Sequence, residues 1–150
     1  MRSDPKIVVA EPLEMEAASP LRKGPVYVEE TYDIGTRYEG YMLNGMRDGK
    51  GKFFYKEGSY YDGEWLKNKM HGYGVLYYPN GMVAYEGEWK EDEFDGKGIV
   101  YNDQQRQIGG SFDFTDFNQL DDEWVRYEGD LRSDAKDGNG KLILTNGEVY

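Results

Sequence analysis

The sequence predicts an all-β fold: an elongated single-layer array of antiparallel β-hairpins, preceded by an extended N-terminal arm. Three observations predict it. A module recurs every 23 or 24 residues, aromatic and charged residues alternate within each module, and glycine-containing turns separate the alternating stretches. Because a single hairpin is marginal in water, each one must bury its aromatic face against the next. Contacts between neighbouring modules are therefore predicted to hold the array together.

Each module begins with a tyrosine and carries a Gly-x-Gly pair whose first glycine lies 11 residues later. The leading tyrosines are Tyr38, Tyr61, Tyr85 and Tyr127. We predict an arm at residues 1–31 and an array at 32–150. The predicted modules are 38–60, 61–84, 85–107, a degenerate module at 108–126, and 127–149.

The first strand of a module alternates between two faces. Tyr85, Gly87 and Trp89 are predicted to face the neighbouring modules, while Glu86 and Glu88 face solvent. This alternation over five residues is typical of a half-buried strand.

A hairpin turn follows this strand. Asn44-Gly45 is a pair that favours a type I′ turn, and the residue matching Gly45 is Asn68, Asp92 or Asp134 in later modules. Asn and Asp tolerate positive φ better than other side chains, so the same turn is predicted throughout.

Glycines in the first strand and in the Gly-x-Gly pair are predicted to be structural. A bare backbone lets a neighbouring ring approach closely. The predicted structural glycines are Gly40, Gly49, Gly51, Gly63, Gly72, Gly74, Gly87, Gly96, Gly98, Gly129, Gly138 and Gly140.

The pattern breaks within residues 108–126. The start still resembles a module, but an acidic stretch with large apolar residues replaces the Gly-x-Gly pair. We predict a degenerate module with a rebuilt loop. Its Phe114, Phe117 and Trp124 either cap this module or contact a partner.

The arm is interrupted by prolines and has no sustained period. It is either a tail without a role or a segment that docks on the array or on another subunit. Residues 31–37 are interpreted as the last strand of a further module.

Composition narrows the classes of partner and of chemistry. The net charge of −11 disfavours nucleic acid, whose binding depends on Lys and Arg, and disfavours simple attachment to anionic lipid. A basic or amphipathic protein partner fits better. The absence of cysteine fits a reducing, intracellular setting.

No catalytic constellation is present in the sequence. The Gly-x-Gly pairs lead into apolar strands rather than into a helix N-terminus, so a nucleotide site is not expected. His71 is the single histidine and no cysteine accompanies it, which disfavours zinc. We expect no enzyme activity, no cofactor and no metal.

These modules resemble the MORN (membrane occupation and recognition nexus) repeat, whose pattern is Tyr-Glu-Gly-x-Trp followed by Gly-x-Gly and an apolar strand. Residues 61–81 and 85–101 match best, and residues 38–58 and 127–147 match with Met42 and Leu131 in place of tryptophan. The resemblance covers residues 32–150. MORN arrays occur in ciliary radial-spoke heads, cytoskeletal scaffolds, membrane-junction proteins, phosphoinositide kinases and adaptors that bind a myosin tail.

The resemblance implies a non-catalytic scaffold or protein-interaction subunit of a larger ciliary-axonemal or cytoskeletal assembly. An aromatic groove and the edge strands would bind a partner segment. The alternative is a membrane-associated tether or phosphoinositide-binding module. We expect an intracellular location in the cytoplasm or cytoskeleton, including the cilium. The candidate partner-binding residues, several of which also suit packing between modules, are Tyr61, Trp65, Tyr85, Trp89, Phe114, Phe117, Trp124 and Tyr127.

Overall fold

The computed structural model describes residues 6–7, 24–32, 34–104 and 123–150. In this part of the chain, ten strands form one sheet, and each strand pairs antiparallel with the next along the chain. At about 4.8 Å between strands, the sheet extends over roughly 45 Å. The described residues contain no helix, so the predicted all-β hairpin array is confirmed. The strands are β1 (Lys6–Ile7), β2 (Val26–Thr31), β3 (Arg37–Leu43), β4 (Met46–Phe54), β5 (Tyr60–Leu66), β6 (Lys69–Tyr77), β7 (Val83–Lys90), β8 (Glu93–Tyr101), β9 (Trp124–Arg132) and β10 (Ala135–Leu144).

A row of glycines crosses the sheet at right angles to the strands. Gly40 pairs with Gly51 within the first hairpin, and Gly51 pairs with Gly63 across the first module boundary. This common register brings equivalent side chains of successive modules to the same face. The row continues through Gly74, Gly87, Gly98, Gly129 and Gly140.

The leading tyrosine of each module lies against this row. Tyr61 is fully buried, and a Cβ atom added at Gly74 would overlap its ring and hydroxyl. The Tyr61 hydroxyl donates a hydrogen bond to the Glu64 carbonyl at 2.8 Å. Only a bare backbone leaves room for a ring whose hydroxyl must reach this acceptor. The hydroxyls of Tyr38, Tyr85 and Tyr127 make the equivalent bond at 2.7 to 2.9 Å.

The remaining predicted glycines begin the Gly-x-Gly pairs, where each hairpin departs from regular pairing. These glycines adopt a positive φ that side chains rarely tolerate. Their φ values are 90° at Gly49, 70° at Gly72, 104° at Gly96 and 79° at Gly138.

The hairpin turns have the predicted geometry. Asn44 and Gly45 have φ values of 52° and 78°, and Lys67 and Asn68 have values of 48° and 72°. Two consecutive positive φ angles define the type I′ turn, whose twist matches that of the strands. The turns at Glu91-Asp92 and Ser133-Asp134 have the same pair of signs.

The sheet begins earlier than the predicted array. β2 pairs with β3 along its whole length, from Val26 opposite Met42 to Thr31 opposite Arg37. Between them, the Tyr32 N–H donates to the Thr36 carbonyl at 2.9 Å, which closes a turn. The interpretation of residues 31–37 as a strand is therefore wrong. The sheet includes the last residues of the segment predicted as the arm.

The sheet has no separate hairpin between β8 and β9, where the degenerate module was predicted. β8 pairs directly with β9, with Gly98 opposite Gly129, so the edge of β8 that a further hairpin needs is already occupied. Residues 108–122 lie outside the described residues. Trp124–Arg126, assigned to the degenerate module, begin β9 instead.

Candidate functional site

We call the face that carries the leading tyrosines the inner face, and interlocked rings fill it. Trp65 packs edge-on against Tyr61 of its own module and Tyr38 of the preceding one, with centroids 5.2 and 5.5 Å apart. Trp89 repeats this arrangement, 5.3 Å from Tyr85 and 5.0 Å from Tyr61. Each tryptophan therefore bridges two modules.

Most of the predicted partner-binding residues belong to this packing. Tyr61 and Tyr85 are fully buried, Trp65 and Trp89 are 5% exposed, and Tyr127 is 6% exposed. Neighbouring modules already cover these rings. Their role in binding a partner stays a prediction, and the chain presents its accessible aromatic surface elsewhere.

Trp124 lies at the start of β9 and is half-buried against the same core. Its carbonyl accepts a hydrogen bond from the Asn102 side chain at 3.0 Å, which joins β9 to the end of β8. The Lys136 ammonium lies 5.2 Å from the centroid of its ring. Phe114 and Phe117 lie outside the described residues.

Backbone carbonyls of the glycine row bind the indoles of the next module. Trp65 Nε1–H donates to the Gly51 carbonyl at 3.1 Å, and Trp89 Nε1–H donates to the Gly74 carbonyl at 3.0 Å. Leu131 replaces the tryptophan at the next boundary. The sequence predicted why these positions are glycine but not that their carbonyls accept from a neighbouring module.

Hairpin turns also dock on the preceding module, which the sequence reasoning missed. Asn68 Oδ1 accepts from the Arg47 N–H, and the Asn68 N–H donates to the Arg47 carbonyl, both at 2.9 Å. Asp92 makes the same pair of bonds to Met70 at 2.8 and 3.0 Å, and Asp134 makes them to Phe94 at the same distances. The sequence signal for this contact was that Asn68, Asp92 and Asp134 occupy a turn position of positive φ, which glycine adopts most easily.

Carboxylates of the first strand hold the irregular part of each later hairpin. Glu64 Oε2 accepts from the Tyr73 N–H at 3.0 Å, and Glu88 Oε2 accepts from the Lys97 N–H at 2.8 Å. Asp130 takes this role in the last hairpin and also forms an ion pair with Lys97. The hydrogen bond from Lys97 holds the pKa of the Asp130 carboxyl below its usual value. The regular recurrence of acidic residues therefore has a structural cause.

The interlocked aromatic rings of the inner face are here called the ring ladder. A buried cation lies at its N-terminal end. Arg47 is 3% exposed, and its guanidinium lies 4.9 Å from the Trp65 ring and 5.2 Å from the Phe53 ring. Its Nη1 donates to the Tyr32 hydroxyl at 2.8 Å, which in turn donates to Glu30 at 3.1 Å. Burial raises the pKa of the Glu30 carboxyl, and the bond from Tyr32 and the charge of Arg47 oppose that rise.

The opposite side of the sheet, here called the open face, carries accessible rings. Tyr27 and Tyr41 meet edge-on at 5.6 Å and are 50% and 43% exposed. Phe54, Tyr60 and Tyr77 stack across three strands with centroids 5.6 and 4.4 Å apart. The described residues place no second layer over these rings, so they are available to a partner.

Shallow cavities on the open face combine rings with carboxylates. One of about 240 Å³ is lined by Tyr27, Tyr41 and Glu39 among others. Another of about 460 Å³ lies beside Tyr73, which is 52% exposed, and Glu88. An aromatic ring beside a carboxylate suits a cationic side chain, because the ring attracts the cation and the carboxylate pairs with it.

The described ranges contain neither a cluster of metal ligands nor a membrane-spanning helix. Within them, no three His, Cys, Asp or Glu side chains come together to hold a metal ion. His71 is half-buried and lines the cavity beside Tyr73. The same ranges contain no helix with the length and apolar character needed to cross a membrane.

Comparison with known proteins supports the repeat pattern. The MORN repeat model matches four segments, at residues 38–60, 61–83, 85–104 and 127–149, which together make up more than half of the chain. No curated protein matches the sequence. MORN repeats act as modules that interact with proteins or membranes, and proteins built from them are generally non-catalytic. On the register, the turns and these four matched segments, the chain belongs to the MORN repeat family.

Proposed function

We propose that this chain is a non-catalytic scaffold subunit that binds a basic, extended protein segment along its open face. Its setting is a ciliary-axonemal or cytoskeletal assembly. The observation that carries this proposal is the exposed aromatic and acidic surface of a one-layer sheet. Tyr27, Tyr41 and Tyr73 expose 43 to 52% of their surface there. Exposed ring clusters with a polar rim are typical of surfaces that bind partner segments.

The chain itself contains an example of the proposed contact. The Arg37 guanidinium lies 4.2 Å from the centroid of the Phe54 ring and pairs with Glu39 at 2.8 Å. A basic partner residue would repeat this arrangement beside other rings of the open face. The net charge of −11 also favours approach of a basic segment.

Repeat geometry sets the spacing of the partner. Equivalent positions of neighbouring modules are two strands apart, which is about 10 Å. A peptide in the extended polyproline II conformation advances about 3.1 Å per residue with three residues per turn, so every third side chain points to the same side and three residues span one module. We therefore expect the partner to carry basic residues at about every third position.

Purification from native cells after crosslinking tests this function. A Tyr41→Ser/Tyr73→Ser variant should lose a partner that the unaltered chain recovers. A Met82→Ser variant is the matched control, because Met82 is 56% exposed but lies in a turn between modules. Equal recovery by both variants, or recovery of no protein by the unaltered chain, would overturn the proposal. Imaging of the tagged chain should place it in cilia or on the cytoskeleton.

One feature favours phosphoinositide binding as the second candidate. A cavity of about 360 Å³ at the edge of the turns is lined by Lys67, Lys69, His71 and Lys90, together with Leu66 and Glu91. Clustered cations of this kind attract anionic headgroups. Flotation with phosphoinositide vesicles separates the two functions. A Lys67→Glu/Lys69→Glu variant should lose flotation while protein binding at the open face persists, because neither lysine lines the cavity beside Tyr73.

A further inference from the structure

Each of the four modules has an acidic residue directly after its leading tyrosine, and this residue lies on the open face. In three modules the carboxylate forms an ion pair with a basic side chain of the chain itself, at 2.8, 4.0 and 2.5 Å. Among the described residues, Glu86 of the third module has no such ion pair. The three pairs are Glu39–Arg37, Asp62–Lys52 and Glu128–Arg126.

Uncharged residues occupy the positions around Glu86 that supply the cation in the other modules. The two arginines come directly before a leading tyrosine, and Ala84 holds that position in the third module. The lysine lies on the preceding strand opposite its carboxylate, and Val75 lies opposite Glu86 at that position. Ile99 lies opposite Glu86 on the other side. The half-buried carboxylate is therefore flanked by two apolar side chains and lacks the cation that its counterparts have.

Three tyrosines surround Glu86 on the open face. Tyr73 and Tyr77 lie on β6, two residues to either side of the residue opposite Glu86, and Tyr101 lies on β8, two residues beyond the residue opposite it. Diagonal neighbours of this kind are within reach of aromatic side chains. Burial raises the pKa of Tyr77 and Tyr101, and the negative charge of Glu86 adds to the rise at both, which agrees with a short separation.

An arginine suits these surroundings better than a lysine. The guanidinium of Arg37 lies 4.2 Å from the centroid of the Phe54 ring while it pairs with a carboxylate of its own strand. A planar guanidinium can stack on a ring and still donate two N–H groups to one carboxylate, whereas an ammonium is a compact, strongly hydrated charge. Lys97, which is diagonal to Glu86 on β8, pairs with Asp130 instead.

We propose that Glu86, with Tyr73, Tyr77 and Tyr101 around it, binds the guanidinium of an arginine in the partner protein segment. The guanidinium stacks on a tyrosine ring and donates to the Glu86 carboxylate, and so takes the place that the chain's own basic residues fill in the other modules. This inference deepens the proposed function and rests on it, since it names the residue type that anchors the basic segment and the position where it binds.

A titration of the purified full chain followed by NMR tests the site directly. The probe is N-acetyl-arginine methylamide, and its lysine counterpart at the same ionic strength is the matched probe. We expect saturable shifts of the Val75 and Ile99 methyl groups and of the Glu86 amide. The arginine probe should bind about threefold more tightly than the lysine probe, because only the guanidinium both stacks and pairs.

Substitutions then assign the binding to the unpaired carboxylate. Glu86→Gln should weaken binding of the arginine probe by about fivefold, because the ion pair is lost. Glu93→Gln is the matched control, since it removes the same charge from an exposed position near the turn of the same hairpin. Val75→Lys should weaken binding as Glu86→Gln does, because it places a lysine opposite Glu86 as Lys52 lies opposite Asp62.

Three results would overturn the proposal: equal affinity for the two probes, equal effects of Glu86→Gln and Glu93→Gln, or no saturable shift at Val75 and Ile99. These results are independent of partner recovery from cells. A chain that binds the arginine probe at Glu86 but recovers no partner would contradict only the proposed function. A chain that recovers a partner but does not bind the probe would contradict only this inference.

Discussion

The indole N–H of Trp89 donates a hydrogen bond to the Gly74 carbonyl of the preceding module at 3.0 Å. Gly74 also lies under the ring of Tyr61, which leaves no room for a Cβ atom. One glycine thus supports the ring of its own module and the indole of the next. Because a lone hairpin is marginal, these boundary contacts determine whether the array folds.

Substitution of Trp89 should separate ring packing from the hydrogen bond. Trp89→Ala should lower the free energy of unfolding by about 3–5 kcal/mol, because it empties a buried site between two modules. Trp89→Phe keeps much of the ring and loses the bond, so we expect a smaller loss, about 1–2 kcal/mol. Urea unfolding measures both. Leu66→Ala at an exposed position is the control, and equal losses for the two Trp89 variants would contradict this division.

Substitution of Gly74 tests the close approach of Tyr61. In Gly74→Ala, the added methyl overlaps the hydroxyl and ring carbons of Tyr61, so the ring must move from a closely packed site. We expect a loss of about 3 kcal/mol in the free energy of unfolding. Gly24→Ala is the matched control, because no atom lies within 4 Å of its added methyl. A melting temperature of Gly74→Ala that equals that of the control would show that the ring is not held there.

The fold followed from the sequence because one physical constraint is repeated. The ring of Tyr85 needs a bare backbone beneath it, and Gly98 provides that backbone. The same two residue types meet this requirement in every module. The second role of Asp92 was harder to predict. A turn that needs positive φ already accounts for an aspartate there, so nothing in the sequence indicated its hydrogen bonds to Met70. Contacts between modules depend on register, and register becomes visible only when the strands are placed side by side.

Other parts of the structure had no repeated signal. Arg47 replaces the apolar residue found at Met70 and Phe94, so its buried pairing with Tyr32 has no counterpart in the pattern. β2 lacks the leading Tyr-x-Gly, which placed it in the predicted arm. Along every strand, side chains point alternately to the open face and to the inner face. The sequence pattern directed attention to the repeated rings of the inner face, whereas the exposed rings of the open face do not repeat from module to module.

Asp92 offers a way to measure the contact between a turn and the preceding module. Asp92→Gly keeps a residue that tolerates the φ of 71° but removes the bond to the Met70 N–H. We expect a loss of about 0.5–1.5 kcal/mol in the free energy of unfolding. Asp92→Ala adds strain at positive φ and should lose about 1 kcal/mol more. If Asp92→Gly is as stable as the unaltered chain, the inter-module bond contributes nothing measurable.

The buried tyrosines should make the array sensitive to alkaline pH. Burial raises the pKa of Tyr38, Tyr61 and Tyr85 above the ordinary value of 10.0. Below pH 10.0 these phenols are neutral in both states, so their ionisation does not affect stability. Above pH 10.0 the unfolded chain releases their protons while the folded chain retains them. The free energy of unfolding should therefore fall, by up to about 1.4 kcal/mol per pH unit for each such tyrosine.

Urea unfolding between pH 8 and pH 11.5 measures this effect. Tyr61→Phe loses a hydroxyl that donates to the Glu64 carbonyl, so it should be less stable at pH 8. Its free energy of unfolding should nevertheless fall less steeply above pH 10.0, because one fewer buried phenol is linked to folding. Leu66→Ala is the control, since Leu66 is 43% exposed and its substitution removes no phenol, so the slope should be unchanged. If Tyr61→Phe keeps the slope of the unaltered chain and of Leu66→Ala, the Tyr61 phenol is not linked to folding and the buried tyrosines do not determine the alkaline limit of the fold.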